Sequence, residues 1–376
     1  MFKRFYWPKN ILHHTGAIGF DLGTEKLNLI QIDFGSGKPV IYAASSEYHN
    51  SHYEEILDKP EILRNLVKSV FSHTPFKGRK IVAALPSALV QLMFITYVCK
   101  SHQDESKALL NALEDRSIDN LSDYVIDYIP VNPHESEQIN RMALVALAKK
   151  NTVEQYLELL DSCHLKVLAL EIGPVAIKRL ISTVSQSHDP KKILVINFGT
   201  QKSYLTILWN HKLLLDREID FCMNKVLSSI ANAFEISTAS ALDVLHQYGL
   251  GADDLKKPEP AYLITSEEND VDNFKWALND ILKRDLISLA NEIREVLVYI
   301  AAETRGGAVE QIYLMGSLAR IKNIDTLLDQ QISIPVKTIN PFYGLDHNSH
   351  IDASDIGPVA GVAVATGLAL RDKMDG

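Results

Sequence analysis

The sequence reads as an α/β protein built from two related halves, and three observations carry that reading. Each half opens on three successive strand-like runs: AIGFDLG, LNLIQID and VIYAASSEYH in the first, ILVINFG, YLTILW and KLLLDREID in the second. The turn between the first two strands recurs in the second half at a constant offset. Residues 86–150 interrupt the first half with a different, α+β pattern. The length of 376 residues agrees with two to three domains, since about 150 residues make a domain.

Composition narrows the class. With 46% hydrophobic and 23% charged residues, the chain can bury a large core without disulfides or metals. Acidic residues (47) outnumber basic ones (38), for a net charge of −9. That argues against a nucleic-acid scaffold, which needs a surplus of Lys and Arg to neutralise phosphates. Cys99, Cys163 and Cys222 lie far apart in apolar stretches, so neither a disulfide framework nor a zinc site is expected, and a reducing cytosol suits them. The N-terminus lacks a signal-peptide pattern. The most apolar run, residues 357–370, falls short of the roughly twenty residues that span a bilayer. The expectation is a soluble, intracellular protein.

Residues 1–16 form a leader in which Lys3, Arg4 and Lys9 alternate with Phe2, Phe5, Tyr6 and Trp7. Such a mixture can favour a membrane surface, but a terminus without structure or packed on the domain is the simpler expectation. Residues 17–85 read β-β-β-α-β, the helix at Pro60–Ser72 carrying Ile62, Leu63, Leu66, Val67 and Val70 on one stripe. The turn from Phe34 to Pro39 superficially suggests a P-loop, yet it lacks the upstream Gly and reads as a hairpin. The insertion, residues 86–150, offers strands at VQLMFITYV, DYVIDYIPV and RMALVALA, with a charged helix between Asp104 and Asp115. Residues 151–188 resume the first domain with helix, strand and helix, ending in the polar linker SQSHDPKK.

The second domain comprises residues 189–225 and 305–376, with a helical subdomain at 226–304. Helices are expected at Cys222–Phe234, Ser237–Gln247 and Asp285–Glu303, the last with Leu286, Leu289, Ile293, Leu297 and Ile300 on one face. The Pro- and acid-rich stretch Gly251–Asp272 reads as a loop, its acidic run solvated. Strand QIYLM, a helix at Leu318–Leu328, strand IPVKTI and a final helix from about Ser354 to Arg371 complete the chain.

The repeat carries the chemistry. Asp21 falls on Asn197, Gly23 on Gly199, Thr24 on Thr200 and Lys26 on Lys202, an offset of 176 in every pair. A single D-x-G-T turn is no more than a good hairpin. Two at a constant offset, facing each other over a cleft, would hold the phosphates of a nucleotide from both sides. The carboxylate of Asp21, just before the turn, would orient Mg²⁺ through its water shell. A third element, Gly316-Ser317-Leu318-Ala319, follows a strand and precedes a helical pattern, which suits the adenosine side.

In this order, IGFDLGT, ILVINFGT and IYLMGSLA resemble the phosphate-1, phosphate-2 and adenosine motifs of the actin/Hsp70/hexokinase superfamily. Within it the chain resembles the PilM family of type IV pilus assembly proteins, through LPSALVQLMFITY, LSDYVIDYIPV, INPFYGLD and the closing GLALR. The resemblance implies an actin-like ATPase fold of ribonuclease H-like duplicated halves, with the small inserted subdomain of PilM and FtsA. It implies a cytoplasmic scaffold that binds ATP with Mg²⁺ and captures the tail of a PilN-like inner-membrane protein. That tail would dock within residues 17–170, giving peripheral membrane association through the partner and a link to the pilus motor ATPases.

The chain departs from the family pattern at three places. Asn197 stands where an Asp is expected; Leu318 stands where backbone approaches the purine; Leu242 and Leu245 stand where a Glu and a Lys face the nucleotide. The expectation is weakened nucleotide binding, with the protein at most a weak ATPase, because charge around the metal matters most in phosphoryl transfer. No catalytic residue is assigned. A sugar- or acetate-kinase-like enzyme would need a catalytic Asp in the cleft. A divisome anchor like FtsA would end in an amphipathic helix, and a type II secretion relative would carry a transmembrane helix.

Overall fold

The computed structural model describes residues 15–35, 38–49, 51–100, 104–116, 120–131, 140–184, 191–249, 267–303, 307–347 and 359–371. Residues 1–14 of the leader, the 185–190 part of the linker and residues 251–266 of the Pro-rich stretch therefore lie outside the described residues, and the last two leader residues belong to the first strand.

The duplication is visible strand for strand. Strands β1 (Thr15–Leu22), β2 (Lys26–Asp33) and β3 (Val40–Tyr48) form an antiparallel meander, and β4 (Lys80–Ala84) and β8 (Lys166–Glu171) continue it in parallel on the other side of β1. In the second half β9 (Lys192–Phe198), β10 (Ser203–Trp209) and β11 (Lys212–Ile219) make the same meander. Strands β12 (Gln311–Gly316) and β13 (Val336–Thr338) extend it in parallel beyond β9. The orders β3-β2-β1-β4-β8 and β11-β10-β9-β12-β13 are therefore the same topology used twice. Central strands covered on both faces must be apolar throughout, and β1, β2 and β9 are buried almost end to end.

Helices cover both sheets. In the first half these are α1 (Tyr53–Asp58), α2 (Pro60–His73), α4 (Lys150–Ser162) and α5 (Gly173–Val184). Tyr156 of α4 is fully buried, and its hydroxyl donates to Ala84 O at 3.1 Å. The insertion is a three-stranded antiparallel sheet, β5 (Gln91–Val98), β7 (Asn140–Lys149) and β6 (Tyr124–Pro130), in the order β5-β7-β6. Helix α3 (Glu105–Glu114) packs on it through Ala108, Leu109 and Leu113, as expected, with Asp104 capping the Ser106 N–H.

The second half adds α6 (Met223–Phe234), α7 (Thr238–Tyr248), α8 (Glu267–Glu303) and α9 (Ile324–Gln331). Helix α8 starts well before the expected Asp285, taking in the acidic residues read as the end of a loop. The helix expected at Leu318–Leu328 is broken instead: a 3₁₀ turn covers Leu318–Arg320, and α9 begins only after Asn323, whose φ of 68° is left-handed.

Two late segments return to the first half. Strand β14 (Asp346–His347) pairs in parallel with β3. The final helix α10 (Ala363–Ala369) packs on β1, β2, β4 and α5, although sequence order grouped residues 305–376 with the second domain. A buried ion cluster fixes this return. Arg179 of α5 grips Glu171 with two bonds of 2.8 and 2.9 Å and donates to Gly367 O at 2.9 Å. Arg371, just past α10, reaches the same carboxylate.

Candidate functional site

The strand ends of the two sheets face one open cleft of about 490 Å³. Ten of the twelve residues singled out in the sequence line it: Asp21, Gly23, Thr24, Lys26, Asn197, Gly199, Thr200, Lys202, Gly316 and Ser317. Leu318 and Ala319 do not. They are buried in the hydrophobic core of the second half.

The first turn is built by the β1–β2 hairpin, with Asp21 opposite Asn28 and Leu22 opposite Leu27. Its Gly23 N–H donates to Lys26 O at 3.0 Å, closing the turn. The carbonyls are held on the side of β3: Gly23 O pairs with His49 Nε2 at 2.8 Å, and Glu25 O accepts the His49 N–H at 3.1 Å. Behind the turn, the Ser46 hydroxyl donates to Asn28 Oδ1 at 2.8 Å and the Asn28 amide donates to Asp21 Oδ2 at 3.1 Å. That chain fixes both the amide orientation and the carboxylate. Burial pushes Asp21 up to about 6, against the lowering effect of the Asn28 bond.

In the second turn the Gly199 N–H donates to Ser203 Oγ at 3.2 Å. A Cβ at Gly199 would stand 2.1 Å from Lys202 O, so the turn admits only glycine. Its carbonyls are again engaged on the outer side. The first N–H groups of α6, from Met223 and Asn224, donate to Gly199 O at 3.1 Å and Thr200 O at 2.9 Å. Lys202 pairs with Glu218 at the rim. The third element is locked to the second: the Ser317 N–H and hydroxyl both donate to Phe198 O, at 2.7 and 3.0 Å. Gly316 has φ +85° and its missing Cβ would meet the same carbonyl at 2.2 Å, so no other residue fits.

Of the three expected departures, two fall away from the cleft. Leu245 and Leu318 flank one small apolar void together with Phe221, Leu282 and Ile324. Leu242 packs against the same core. Leu318 therefore does not narrow the cleft, because the 3₁₀ turn directs it inward. Asn197 does line the cleft, beside Gly316.

Three features of the cleft were not singled out from the sequence. Asp216 of β11 accepts the Thr206 hydroxyl at 2.5 Å, and burial pushes it up to about 7 despite that bond. The available signal was its spacing of two from buried Leu214, which puts it on the strand's covered face. Arg320 crosses the cleft to Glu25 at 2.9 Å and to the Tyr48 hydroxyl at 3.4 Å. Gln201 and His52 meet across the rim at 3.3 Å. Lys26 lies over the Tyr48 ring, 4.0 Å from its centroid, and is pushed down to about 8, first by burial and then by Arg320.

Among the described residues no group of three His, Cys, Asp or Glu could hold a metal ion by itself. The arrangement fits Mg²⁺ carried by phosphates, which takes one or two carboxylates and keeps several waters. Asp21 is placed for that role, while Asn197 offers hydrogen bonds without charge.

Two sheets of one topology, with related glycine turns facing a shared cleft, define an actin-like ATPase fold. A family model described as type IV pilus assembly protein PilM matches residues 19–253 and 272–373, and the chain belongs to that family. Among solved structures it is similar to a PilM-PilN type IV pilus biogenesis complex, with a TM-score of 0.74 and 21% identity over 95% of this chain and 98% of that one. It is also similar to the ethanolamine utilization protein EutJ from Carboxydothermus hydrogenoformans, with a TM-score of 0.54 and 12% identity over 96% of this chain and 91% of that one. Among the described residues no helix is long and apolar enough to cross a membrane.

Proposed function

We propose that this protein is a nucleotide-responsive scaffold of type IV pilus assembly that works on the cytoplasmic face of the inner membrane. Its partner is the N-terminal tail of a PilN-like membrane protein, bound on the first domain beside the insertion, within residues 17–170. Family membership supports the assembly role, and the similar PilM-PilN complex supports the partner. The observation that carries the nucleotide reading is the convergence of Gly23-Thr24, Gly199-Thr200 and Gly316-Ser317 on one cleft. The Gly23 and Gly199 N–H groups are engaged within their own turns, so phosphate oxygens would draw on the remaining backbone amides there. The threonine hydroxyls add donors, and Lys26 adds charge. Bound Mg²⁺ would supply charge neutralisation at the phosphates. Asp21, oriented by Asn28 and Ser46, would hold its water shell.

With Asn197 in the second turn, hydrolysis is weak or absent, and the nucleotide sets domain closure instead of driving turnover. Titrating the full chain with the N-terminal peptide of a PilN-like protein, with and without Mg-ATP, tests this. Nanomolar to micromolar binding that changes with Mg-ATP is expected. Absence of peptide binding, together with phosphate transfer to a small substrate, would reverse the ranking. That second reading, a kinase-like enzyme, has one observation in its favour: Asp216, a carboxylate on the second wall of the cleft with raised proton affinity. Turnover that disappears in Asp216→Asn would support it.

A further inference from the structure

The halves of the molecule are tied across the cleft by a largely buried ion pair whose two members sit inside the nucleotide-facing turns. Glu25 directly follows Gly23-Thr24, and Arg320 belongs to the 3₁₀ turn after Gly316-Ser317. Their side chains meet at 2.9 Å, with Arg320 only 8% exposed and Glu25 20%. The guanidinium is fully directed. Its Nε donates to Ser317 O at 3.2 Å, one terminal nitrogen to Glu25 and the other to the Tyr48 hydroxyl at 3.4 Å. Lys26 approaches the same tyrosine from its ring face. Two cations thus converge on one aromatic side chain at the cleft, and Glu25 and Glu47 oppose the mutual repulsion.

Stability is a poor account of such a pair, because desolvating both charges cancels most of their attraction. Recognition is a better one. An arginine fork matches a carboxylate and a phosphate with the same geometry. Glu25, Lys26 and Arg320 all line the cleft into which phosphates would enter. We propose that Arg320 is a phosphate-binding residue of this cleft, that the chain's own Glu25 holds its place in the present structure, and that a phosphate of the nucleotide displaces Glu25. The inference rests on the nucleotide reading and deepens it. In one state Glu25 bridges the halves; in the other the nucleotide does, and the Glu25 carboxylate turns out to water. An internal competitor lowers apparent affinity by the fraction of molecules in which it occupies the site.

A simple tie between domains and an internal competitor differ in sign. If the pair only ties the halves together, Glu25→Gln and Arg320→Gln change nucleotide affinity in the same direction. If Glu25 competes, the two changes are opposite. The full chain and both variants are titrated with Mg-ATP by calorimetry. Glu25→Gln is expected to bind roughly tenfold more tightly and Arg320→Gln roughly tenfold more weakly, the usual size for one charge-assisted hydrogen bond. Thermal melts report folding, and Arg320→Lys replaces Arg320→Gln if the latter melts early, since it keeps the charge but loses the fork. Changes of equal sign, or an unaltered Glu25→Gln in a protein that binds Mg-ATP, overturn the competitor while leaving the nucleotide reading intact. Binding gained only in Glu25→Gln supports it. Failure of every form to bind Mg-ATP overturns both.

Discussion

Replacing Asp216 with Asn should make the ligand-free protein more stable at pH 8 and leave it unchanged at pH 4. The carboxylate sits on β11 within the cleft, with the Thr206 hydroxyl as its hydrogen-bond donor. Burial is the larger influence on it and raises its pKa from 3.8 to about 7. The folded protein therefore keeps this proton through a range in which the unfolded chain has released it. The contribution of this group to stability falls as pH rises from about 4 to about 7 and is level above that. The gap is about three pH units at about 1.4 kcal/mol each, so the charged carboxylate costs the fold at most about 4 kcal/mol at pH 8. Asparagine keeps the acceptor oxygen facing Thr206 and carries no charge, so the variant recovers most of that difference. The assay is urea unfolding of both proteins at half-unit steps from pH 4 to pH 9. Curves that coincide at pH 4 and separate progressively towards pH 8 are expected. Parallel curves, or a less stable variant at pH 8, would refute the burial argument.

Four further outcomes follow from contacts in the structure. Gly199→Ala should cost about 2 kcal/mol by thermal melting and abolish Mg-ATP binding, because its Cβ would lie 2.1 Å from Lys202 O and the turn must open. Glu171→Gln should cost about 3 kcal/mol in urea unfolding, because it strands Arg179, which is only 10% exposed. Arg371→Gln should cost well under half as much in the same assay, since that arginine is 36% exposed and a second one still holds the carboxylate. Asn197→Asp should make nucleotide affinity depend more steeply on Mg²⁺ and raise phosphate release, read by calorimetry across a Mg²⁺ series; unchanged Mg²⁺ dependence would remove Asn197 from the metal's surroundings.

What the sequence disclosed was what local pattern and repetition can encode. Gly-Thr after a buried apolar strand is the same message at residues 23 and 199, and both turns stand where that message places them. The misses have a different origin. Leu318, Ile321, Ile324 and Leu328 keep an apolar helical spacing through a segment that is not one helix. Asn323 supplies the left-handed break, and Gly249, whose Cβ would lie 2.8 Å from Lys322 Cβ, brings α7 against it. No periodicity contains that contact. Asp216 looked like one polar residue in a strand because its burial depends on how the other half closes over it. Strand β14 is two residues long and pairs with β3 across most of the chain. The Glu25–Arg320 pair joins residues 295 positions apart. Duplication made the glycine turns legible, whereas the contacts that join the two copies have no counterpart in either copy.

That asymmetry bears on how the molecule works. Each turn is rigid within its own half: Gly23 and Lys26 close the first, Gly199 and Ser203 brace the second, and Ser317 is bonded twice to Phe198. A ligand entering the cleft cannot reshape such turns cheaply, so its effect must fall on the contacts between them. Among the described residues those include the Glu25–Arg320 pair, the Gln201–His52 contact and the Ser87–Tyr204 bond. They lie at the cleft, while α10 and the Glu171 cluster join the late segment to the first sheet. The first domain carries the insertion through β4, β5 and α4, so on the proposed reading a movement of the halves at the cleft would also shift the insertion relative to the second half. On that reading, nucleotide state and partner binding would be linked through one movement, and neither would require the phosphate bond to be broken.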